Sequence, residues 1–296
     1  MGDWGRNRGM VLVFVAGMLW STVGLGIRLI EEAQVWQILL YRSISLSVFL
    51  FVVILVRTGR NPFRMALETG AAGAIGGLGL VAAYSGAIFA IQKTSVANAM
   101  LLFACAPFAS AVLARLVLGE RVRFATWVAI AVAMGGVLLM VSDDSGQSSL
   151  IGNLAALGSS VGFAVFTVAL RWGRNVEMLP AVFLSGLFAI GITGVVCLVM
   201  GLSFVLTAQD GTVAMVMGVA QVGTGLVLYT LGSKTVPAVE LTLLSLAEVV
   251  LGPVWVWVFL GETASRATLL GGAILLAAII GNAVSGARRK PPIQMP

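Results

Sequence analysis

Long apolar stretches, separated by short polar breaks, recur along the chain from about residue 10 to about residue 286. Each stretch is about as long as a membrane-spanning helix, which needs about 20 apolar residues to cross the hydrocarbon core. The pattern therefore predicts ten spans with approximate bounds 10–30, 34–56, 68–91, 95–118, 122–141, 150–171, 178–201, 211–233, 236–260 and 266–286. The breaks are too short to hold a soluble domain, so we expect an all-α membrane protein.

The composition supports this class. Of the 296 residues, 59% are hydrophobic and only 10% are charged, whereas a soluble domain carries about 25% charged residues. The chain contains no histidine, which removes histidine-based catalysis and metal ligation. Its two cysteines, Cys105 and Cys197, lie inside apolar runs and are expected to be small buried hydrophobes. We therefore expect no metal site and no cofactor.

The distribution of basic residues predicts the orientation in the membrane. Most of the 18 Lys and Arg residues fall in loops on the side that carries the N-terminus, whereas Arg28, Lys93 and Arg266 fall on the other side. Cytoplasmic loops carry an excess of Lys and Arg, so both termini are predicted to be cytoplasmic in a bacterial inner membrane. Because the basic residues are scattered rather than gathered in a stripe, the net charge of +6 does not indicate nucleic-acid binding.

A repeat appears when the chain is shifted by 142 residues, which places Leu118-Gly119-Glu120 on Leu260-Gly261-Glu262. Each triplet ends an apolar span. The chain is thus predicted to consist of two five-helix repeats, residues 1–143 and 144–296. Because five is an odd number, the second repeat enters the membrane from the opposite side, and the two are inverted. Inverted repeats around a site at mid-membrane are typical of secondary transporters.

Two charged residues lie within predicted spans. Glu248 lies near the middle of the apolar stretch 237–261, where a carboxylate costs at least about 2.5 kcal/mol. It either bonds a neighbouring helix or, as we favour, belongs to a transport site and helps to couple transport to the proton gradient. Arg42 has three interpretations: it extends to the outer interface, which we favour, pairs with Glu248, or holds a substrate carboxylate.

Polar and aromatic residues near mid-depth form a candidate substrate site, because polar groups that face lipid are costly. In the eighth span, Gln221, Gly225 and Tyr229 are spaced by four and share one helix face. An aromatic-walled chamber with a few hydrogen-bonding groups suits a flat apolar side chain with a zwitterionic head. The alternative is that Trp and Tyr mark the membrane interfaces. The predicted substrate-binding residues are Trp20, Ser21, Tyr84, Asn98, Phe163, Gln221, Tyr229, Ser245, Glu248 and Trp255.

Glycine pairs spaced by four and two prolines also predict local structure. Gly73 with Gly77 and Gly158 with Gly162 indicate close helix packing, which we favour over sliding during transport. Pro107 and Pro253 are predicted to bend the fourth and ninth spans.

The five-plus-five plan, the two Leu-Gly-Glu triplets, Arg42 in the second span and the glycine-rich stretches 133–136 and 270–272 resemble the EamA-type ten-helix branch of the drug/metabolite transporter superfamily. The second half departs from this pattern because it lacks a counterpart of Arg42. The resemblance implies a central cavity lined by spans 1, 3, 4, 6, 8 and 9, with spans 5 and 10 at the periphery. Within the branch, the narrower resemblance is to aromatic amino acid exporters.

The predicted function is export of small amphiphilic metabolites, foremost aromatic amino acids, by alternating access. Export of other metabolites or of drugs by the same branch is the alternative. An intramembrane lipid-modifying enzyme is a remote alternative, because the chain lacks a cluster of reactive groups at one membrane face. A channel is disfavoured because no carbonyl-rich filter or ring of like charges is recognisable. The expected partners are the lipid bilayer and a small-molecule substrate, and the protein is expected to be a monomer or a homodimer.

Overall fold

The computed structural model describes the backbone of residues 3–142, 149–173, 178–233, 235 and 238–287. Within these ranges, the side chains of residues 3–6, 178, 233, 238–243, 245, 246, 286 and 287 lie outside the description. All elements of regular structure in the described ranges are helical, which confirms the predicted fold class.

The first half contains eight helices, and the second half contains six α-helices and one π-helical segment. In the first half they are α1 (Asp3–Ser21), α2 (Val23–Arg28), α3 (Val35–Thr58), α4 (Pro62–Glu68), α5 (Gly70–Lys93), α6 (Val96–Phe103), α7 (Ala106–Leu118) and α8 (Phe124–Val141). In the second half they are α9 (Leu150–Trp172), α10 (Met178–Val199), α11 (Ala208–Val216), the π-helical segment Met217–Gly223, α12 (Thr224–Ser233), α13 (Ala238–Leu260) and α14 (Arg266–Ala287).

Most of the predicted spans correspond to long apolar helices. In the described residues, nine helical segments are long and apolar enough to cross a membrane, and 247–260 of α13 forms a shorter apolar helix. The total of ten spans and the orientation of the termini therefore stay predictions. The positions nevertheless agree with the hydropathy pattern to within a few residues, because burial in lipid requires continuous apolar helices.

Three of the predicted spans are interrupted. The first is broken at Thr22, between α1 and α2. The fourth is broken at Ala104 and Cys105, just before Pro107 in the first turn of α7, which agrees with the predicted bend. The eighth contains the π-helical segment, which hydropathy did not predict. Pro253, by contrast, lies inside a continuous α13.

The contacts between helices are equivalent when the two halves are exchanged. The extensive α5–α9 contact, between spans 3 and 6, has its counterpart in α1–α12, between spans 1 and 8. The α1–α13 contact likewise corresponds to the contact of α9 with α6 and α7. Helix α14 packs extensively against α8, so that spans 5 and 10 pair with each other at one side. This arrangement agrees with the peripheral position that the resemblance implies.

Close backbone contacts at glycines hold these helices together. A Cβ added to Gly162 of α9 would lie 2.7 Å from Gly79 O and Ala83 N of α5. A Cβ added to Gly158 would lie in open space, and one added to Gly73 would meet its own helix at Thr69. Close interhelical packing is therefore found at Gly162 and also at Gly77, where an added Cβ would lie 3.1 Å from Phe188 Cδ2 of α10, but not at Gly158.

Candidate functional site

The two Leu-Gly-Glu triplets form the same helix C-terminal cap. Gly119 and Gly261 both adopt a left-handed conformation with φ of 67°. The following amides donate back to the helix, Glu120 N to Ala114 O at 3.3 Å and Glu262 N to Val256 O at 3.2 Å. Each bond spans six positions and follows a glycine with positive φ, a conformation that glycine adopts readily because it lacks a Cβ. The repeated triplet thus ends two equivalent helices and places a glutamate just beyond each.

Each of these glutamates forms an ion pair with an arginine of the other half. Arg28 Nε lies 2.8 Å from Glu262 Oε2, and Arg171 Nη2 lies 2.8 Å from Glu120 Oε2. The two arginines are 143 positions apart and the two glutamates 142 positions apart. The pairs are therefore repeat-related and reciprocal. These ion pairs were not predicted from the sequence, although residues of opposite charge at repeat-related positions could have indicated them.

The two ion pairs lie at opposite ends of the helix bundle. Helix α9 begins beside the first pair, and Thr94 connects the two. A Cβ on Gly152, near the start of α9, would lie 3.0 Å from Thr94 Cβ, and Thr94 O accepts a hydrogen bond from Arg28 Nη2 at 2.9 Å. The same helix ends at the second pair with Arg171. Nineteen residues of α-helix extend about 29 Å. We call these the Arg28 end and the Arg171 end.

The ion pair at the Arg28 end is more buried and makes more hydrogen bonds than the described ion pair at the Arg171 end. Arg28 Nη2 makes a second contact with Glu262 Oε1 at 3.3 Å, and that oxygen also accepts from Val96 N at 2.7 Å. The paired side chains are 28% and 23% exposed, against 54% and 38% for Arg171 and Glu120. A cleft of about 370 Å³ opens at this end, lined by Arg28, Gln92, Lys93, Thr94, Ser95, Gly261, Glu262 and Thr263.

A buried carboxylate adds to the closure of the Arg28 end. Asp210, in the first turn of α11, is 1% exposed. Its oxygens accept from the backbone amides of Glu31, Glu32 and Ala33 at 3.0, 3.0 and 2.9 Å. These charge-assisted bonds fasten the loop after α2 to the start of the eighth span.

Inside the bundle, the predicted face of the eighth span meets Trp20. The Trp20 and Tyr229 rings are 5.4 Å apart, and a Cβ on Gly225 would collide with the Trp20 indole. Gln221 Nε2 approaches Trp20 O at 3.5 Å and Thr22 Oγ1 at 3.4 Å. Gln221, Gly225 and Tyr229 therefore share one face, as the spacing predicted, and the structure brings this face against Trp20.

The ninth span contacts the same part of α1. Trp255 Nε1 donates to Ser21 Oγ at 2.7 Å, and Ser21 Oγ donates to Met18 O at 2.7 Å. Five of the ten predicted substrate-binding residues thus lie around the end of α1, where the first helix breaks. They are Trp20, Ser21, Gln221, Tyr229 and Trp255.

Arg42 and Tyr84 form a second, buried group. The Arg42 Cζ lies 4.5 Å from the centroid of the Tyr84 ring, a cation–π contact. Arg42 is only 3% exposed, and its Nε and Nη2 are buried without a hydrogen-bond partner. The favoured expectation that this side chain extends to the outer interface differs from the structure, in which it packs against an aromatic face inside the protein.

Asn98 and Phe163, two further predicted residues, make their observed contacts away from this cluster. Asn98 is fully buried and donates from Nδ2 to Asn153 Oδ1 at 2.6 Å, and Thr268 Oγ1 lies 3.5 Å from its Oδ1, so its observed contacts join α6 to α9 and α14. Phe163 packs edge-on to Phe103 at 5.7 Å. These three contacts join helices to one another, and they do not test a role of Asn98 or Phe163 in substrate binding.

Glu248 lies on α13 beside α1, since a Cβ on Gly17 would be 3.9 Å from Glu248 N. Within the described residues the ion pairs are Arg28–Glu262, Arg60–Glu68 and Arg171–Glu120, so Glu248 and Arg42 form no ion pair in this conformation. The side chain of Ser245 lies outside the described residues.

Comparisons with known proteins are consistent with this architecture. A relative from Bacillus subtilis (strain 168), the uncharacterized transporter YwfM, is 27% identical over 205 residues, 68% of each chain. A solved crystal structure of a protein superposes with a TM-score of 0.68 at 20% sequence identity. The match covers 95% of this chain and 99% of the chain in that structure. At that identity, the structural likeness supports the fold alone.

The family comparison is more specific, because one family matches the chain twice. Residues 7–142 and 150–284 each match the EamA-like transporter family, in agreement with the internal repeat. Since the Bacillus relative is uncharacterised, the narrower resemblance to aromatic amino acid exporters stays a prediction. The two matches cover most of the chain, and the protein is a member of the EamA-like transporter family.

Proposed function

We propose that this protein is a secondary transporter that moves small amphiphilic metabolites, foremost aromatic amino acids, out of the bacterial cytoplasm by alternating access. The observation that carries this proposal is the reciprocal pair of ion pairs at the two ends of the bundle. Each joins one half of the chain to the other. A carrier needs two barriers that open in turn, and a fold with equivalent closures at both ends meets this requirement.

The residues around the end of α1 support an aromatic substrate. Trp20, Tyr229 and Trp255 supply aromatic surface, and Gln221 and Ser21 supply hydrogen-bonding groups. Such surroundings suit a flat side chain, because aromatic rings stack with one another and polar groups fix the orientation. The break at Thr22 and the π-helical segment lie beside these residues, and irregular helices of this kind are frequent at functional sites.

Glu248 supplies the proposed coupling to the proton gradient. No hydrogen bond or ion pair joins its carboxylate to the described residues, so the carboxylate is free to change its protonation or its partner during the cycle. Its neighbour α1 carries Trp20. A proton taken up or released by Glu248 would therefore act on the helix that contacts the substrate.

Counterflow in proteoliposomes tests the proposal. Vesicles loaded with unlabelled tryptophan are expected to accumulate labelled phenylalanine transiently, because a carrier exchanges its substrates across the membrane. Trp20→Ala should abolish the accumulation. Trp127→Ala is the matched control, since Trp127 lies on the peripheral helix α8 and is 40% exposed.

Two outcomes would contradict the proposal. Folded wild-type protein that exchanges no aromatic amino acid would remove this substrate class and direct the search to other metabolites. Equal loss of exchange in Trp20→Ala and Trp127→Ala would refute the assignment of the site to the end of α1.

A further inference from the structure

Arg42 is a buried charge without a counter-ion among the described residues. Three described side chains contain buried polar atoms that lack a hydrogen-bond partner, namely Arg42, Ser47 and Gln221. Ser47 and Gln221 are neutral, so a missing hydrogen bond at these side chains leaves a polar group, but no charge, without a partner. Arg42 instead leaves two donors of a guanidinium, which stays protonated in proteins, without an acceptor. An uncompensated buried charge is strongly destabilising.

The acidic residues of the described chain do not neutralise Arg42 in this conformation. Glu262, Glu68 and Glu120 are paired with other arginines. Asp210 is engaged by three backbone amides. Glu248 is not in contact with Arg42, as described above. No ion pair within the described residues therefore supplies a counter-charge to Arg42.

The location of Arg42 is inside the membrane-spanning bundle. It lies seven residues after the start of α3, which corresponds to about 10 Å of helix from the Arg28 end. Because Nε and Nη2 of Arg42 are buried inside the protein, bulk solvent does not reach them. A bound anion would satisfy these two donors.

The surroundings of Arg42 hold the side chain in a defined position. The Tyr84 ring lies beneath the guanidinium at 4.5 Å, and Tyr84 belongs to α5 of the third span. On the backbone side, Ser45 Oγ lies 3.0 Å from Arg42 O and 2.9 Å from Met215 O of the eighth span. Gly218 in the π-helical segment has no side chain and so allows a close approach, since a Cβ there would collide with Arg42 O and Ser45 Oγ. Three spans thus converge on Arg42.

We propose that Arg42 binds the carboxylate group of the transported substrate. Guanidinium and carboxylate match in geometry, because two parallel N–H donors can meet two oxygens, and Nε and Nη2 are the two donors that remain free. This inference rests on the proposed transport function and narrows its substrate class to molecules with a carboxylate. The π-helical segment contacts the Arg42 backbone at Gly218 and also carries Gln221, which approaches Trp20. The carboxylate and the aromatic ring of one substrate would therefore be bound at two places joined by this segment.

Thermal stabilisation of the purified full-length protein in detergent tests this site without requiring transport. The probes are phenylalanine and 3-phenylpropionate, which contain a carboxylate, and their amides, phenylalaninamide and 3-phenylpropionamide, which do not. Wild-type protein should require about 10- to 100-fold less of a carboxylate than of its amide counterpart for half-maximal stabilisation, which is the ratio expected for a charge-assisted hydrogen bond. Arg42→Gln should reduce this ratio to within about twofold.

Two further variants keep the test interpretable. Arg115→Gln is the matched control, because Arg115 is an exposed arginine in the fourth span, and it should preserve the wild-type ratio. If Arg42→Gln does not fold, Arg42→Lys replaces it. Lysine keeps the charge and loses the two-donor fork, so the ratio should fall part of the way.

A carboxylate preference that persists unchanged in Arg42→Gln would overturn the inference. The source of the anion is tested by replacing gluconate with chloride. One further outcome would overturn the inference: chloride stabilises wild type but not Arg42→Gln, and wild type shows no preference for carboxylate over amide. The site would then bind an inorganic anion. Loss of the carboxylate preference in Arg42→Gln, together with a wild type that fails in counterflow, would refute the transport proposal and support the Arg42 site.

Discussion

The ion pair at the Arg28 end is predicted to set how often that end of the bundle opens. Glu262→Gln is the perturbation, because glutamine has nearly the same shape and keeps a carbonyl that can accept from Val96 N. The substitution removes the charge and leaves Arg28 Nε and Nη2 facing a neutral amide. Glu120→Gln makes the equivalent change at the Arg171 end and serves as the matched variant.

The expected magnitude follows from the contacts at each end. Glu262 accepts from Arg28 at 2.8 and 3.3 Å, and both side chains are less than one third exposed. A partly buried charge-assisted pair of this kind is worth about 1–2 kcal/mol, which is about a 5- to 30-fold change in an equilibrium. Glu120 and Arg171 are 38% and 54% exposed, and a pair in that setting contributes about 0–1 kcal/mol.

Cysteine accessibility measures the effect directly. Ser95 is 7% exposed and lines the same cleft as the ion pair. Ser95→Cys therefore reports opening of this end in a background where Cys105 and Cys197 are replaced by alanine. Glu262→Gln should raise the rate of labelling by a membrane-impermeant maleimide about 5- to 30-fold. Glu120→Gln should leave this rate unchanged or lower it, because weakening the other end favours the state in which the Arg28 end is closed.

The reasoning would be refuted if both substitutions raised the labelling rate equally, or if Glu262→Gln left it unchanged. The double variant with Arg28→Glu and Glu262→Arg provides the internal check. It restores opposite charges across the same gap. The rate should return only part of the way to that of wild type, because arginine at position 262 has no oxygen that can accept from Val96 N.

Three further predictions concern single side chains. Gly162→Ala should destabilise the protein by about 1–3 kcal/mol in thermal unfolding, because the added methyl group meets backbone atoms of α5. Trp255→Phe should cost about 0.5–1.5 kcal/mol in the same measurement, because Ser21 loses a hydrogen bond. Glu248→Gln should retain counterflow exchange but lose accumulation driven by an imposed pH gradient, since it cannot carry the proposed proton.

Each of these predictions has a matched control or a contradicting outcome. Gly158→Ala lies one turn before Gly162 in open space, so equal destabilisation of the two variants would contradict the packing argument. Trp257 is 59% exposed, and Trp257→Phe should leave the melting temperature unchanged. Full-rate accumulation by Glu248→Gln under a pH gradient would eliminate the coupling role.

The helices could be predicted from the sequence because hydropathy determines them directly. A segment that crosses the hydrocarbon must be apolar and must satisfy its own backbone bonds, and the observed bounds follow the predicted spans closely. The π-helical segment 217–223 could not be predicted in this way. It retains an apolar composition, and its extra residue per turn follows from contacts such as that of Gly218 with Arg42 and Ser45, which depend on the tertiary structure.

The candidate site could be predicted only in part. Helical spacing correctly placed Gln221, Gly225 and Tyr229 on one face, because that is a local property of the helix. It gave no information about which polar residues are already satisfied by other helices. Asn98 bonds Asn153 across two helices, whereas Arg42 Nε and Nη2 have no hydrogen-bond partner. These opposite outcomes follow from the packing of distant segments.

The reciprocal ion pairs explain why neither half of the chain can close an end by itself. Each half contributes an arginine to one end and a glutamate to the other, so opening one end separates the halves there and leaves the other contact to act as the pivot. The difference in strength between the two ion pairs, about 0–2 kcal/mol from the values above, is small enough for a substrate to reverse. A ligand that binds one state tenfold more tightly than the other supplies about 1.4 kcal/mol. Contacts of this strength therefore suit a carrier in which substrate binding decides which end opens.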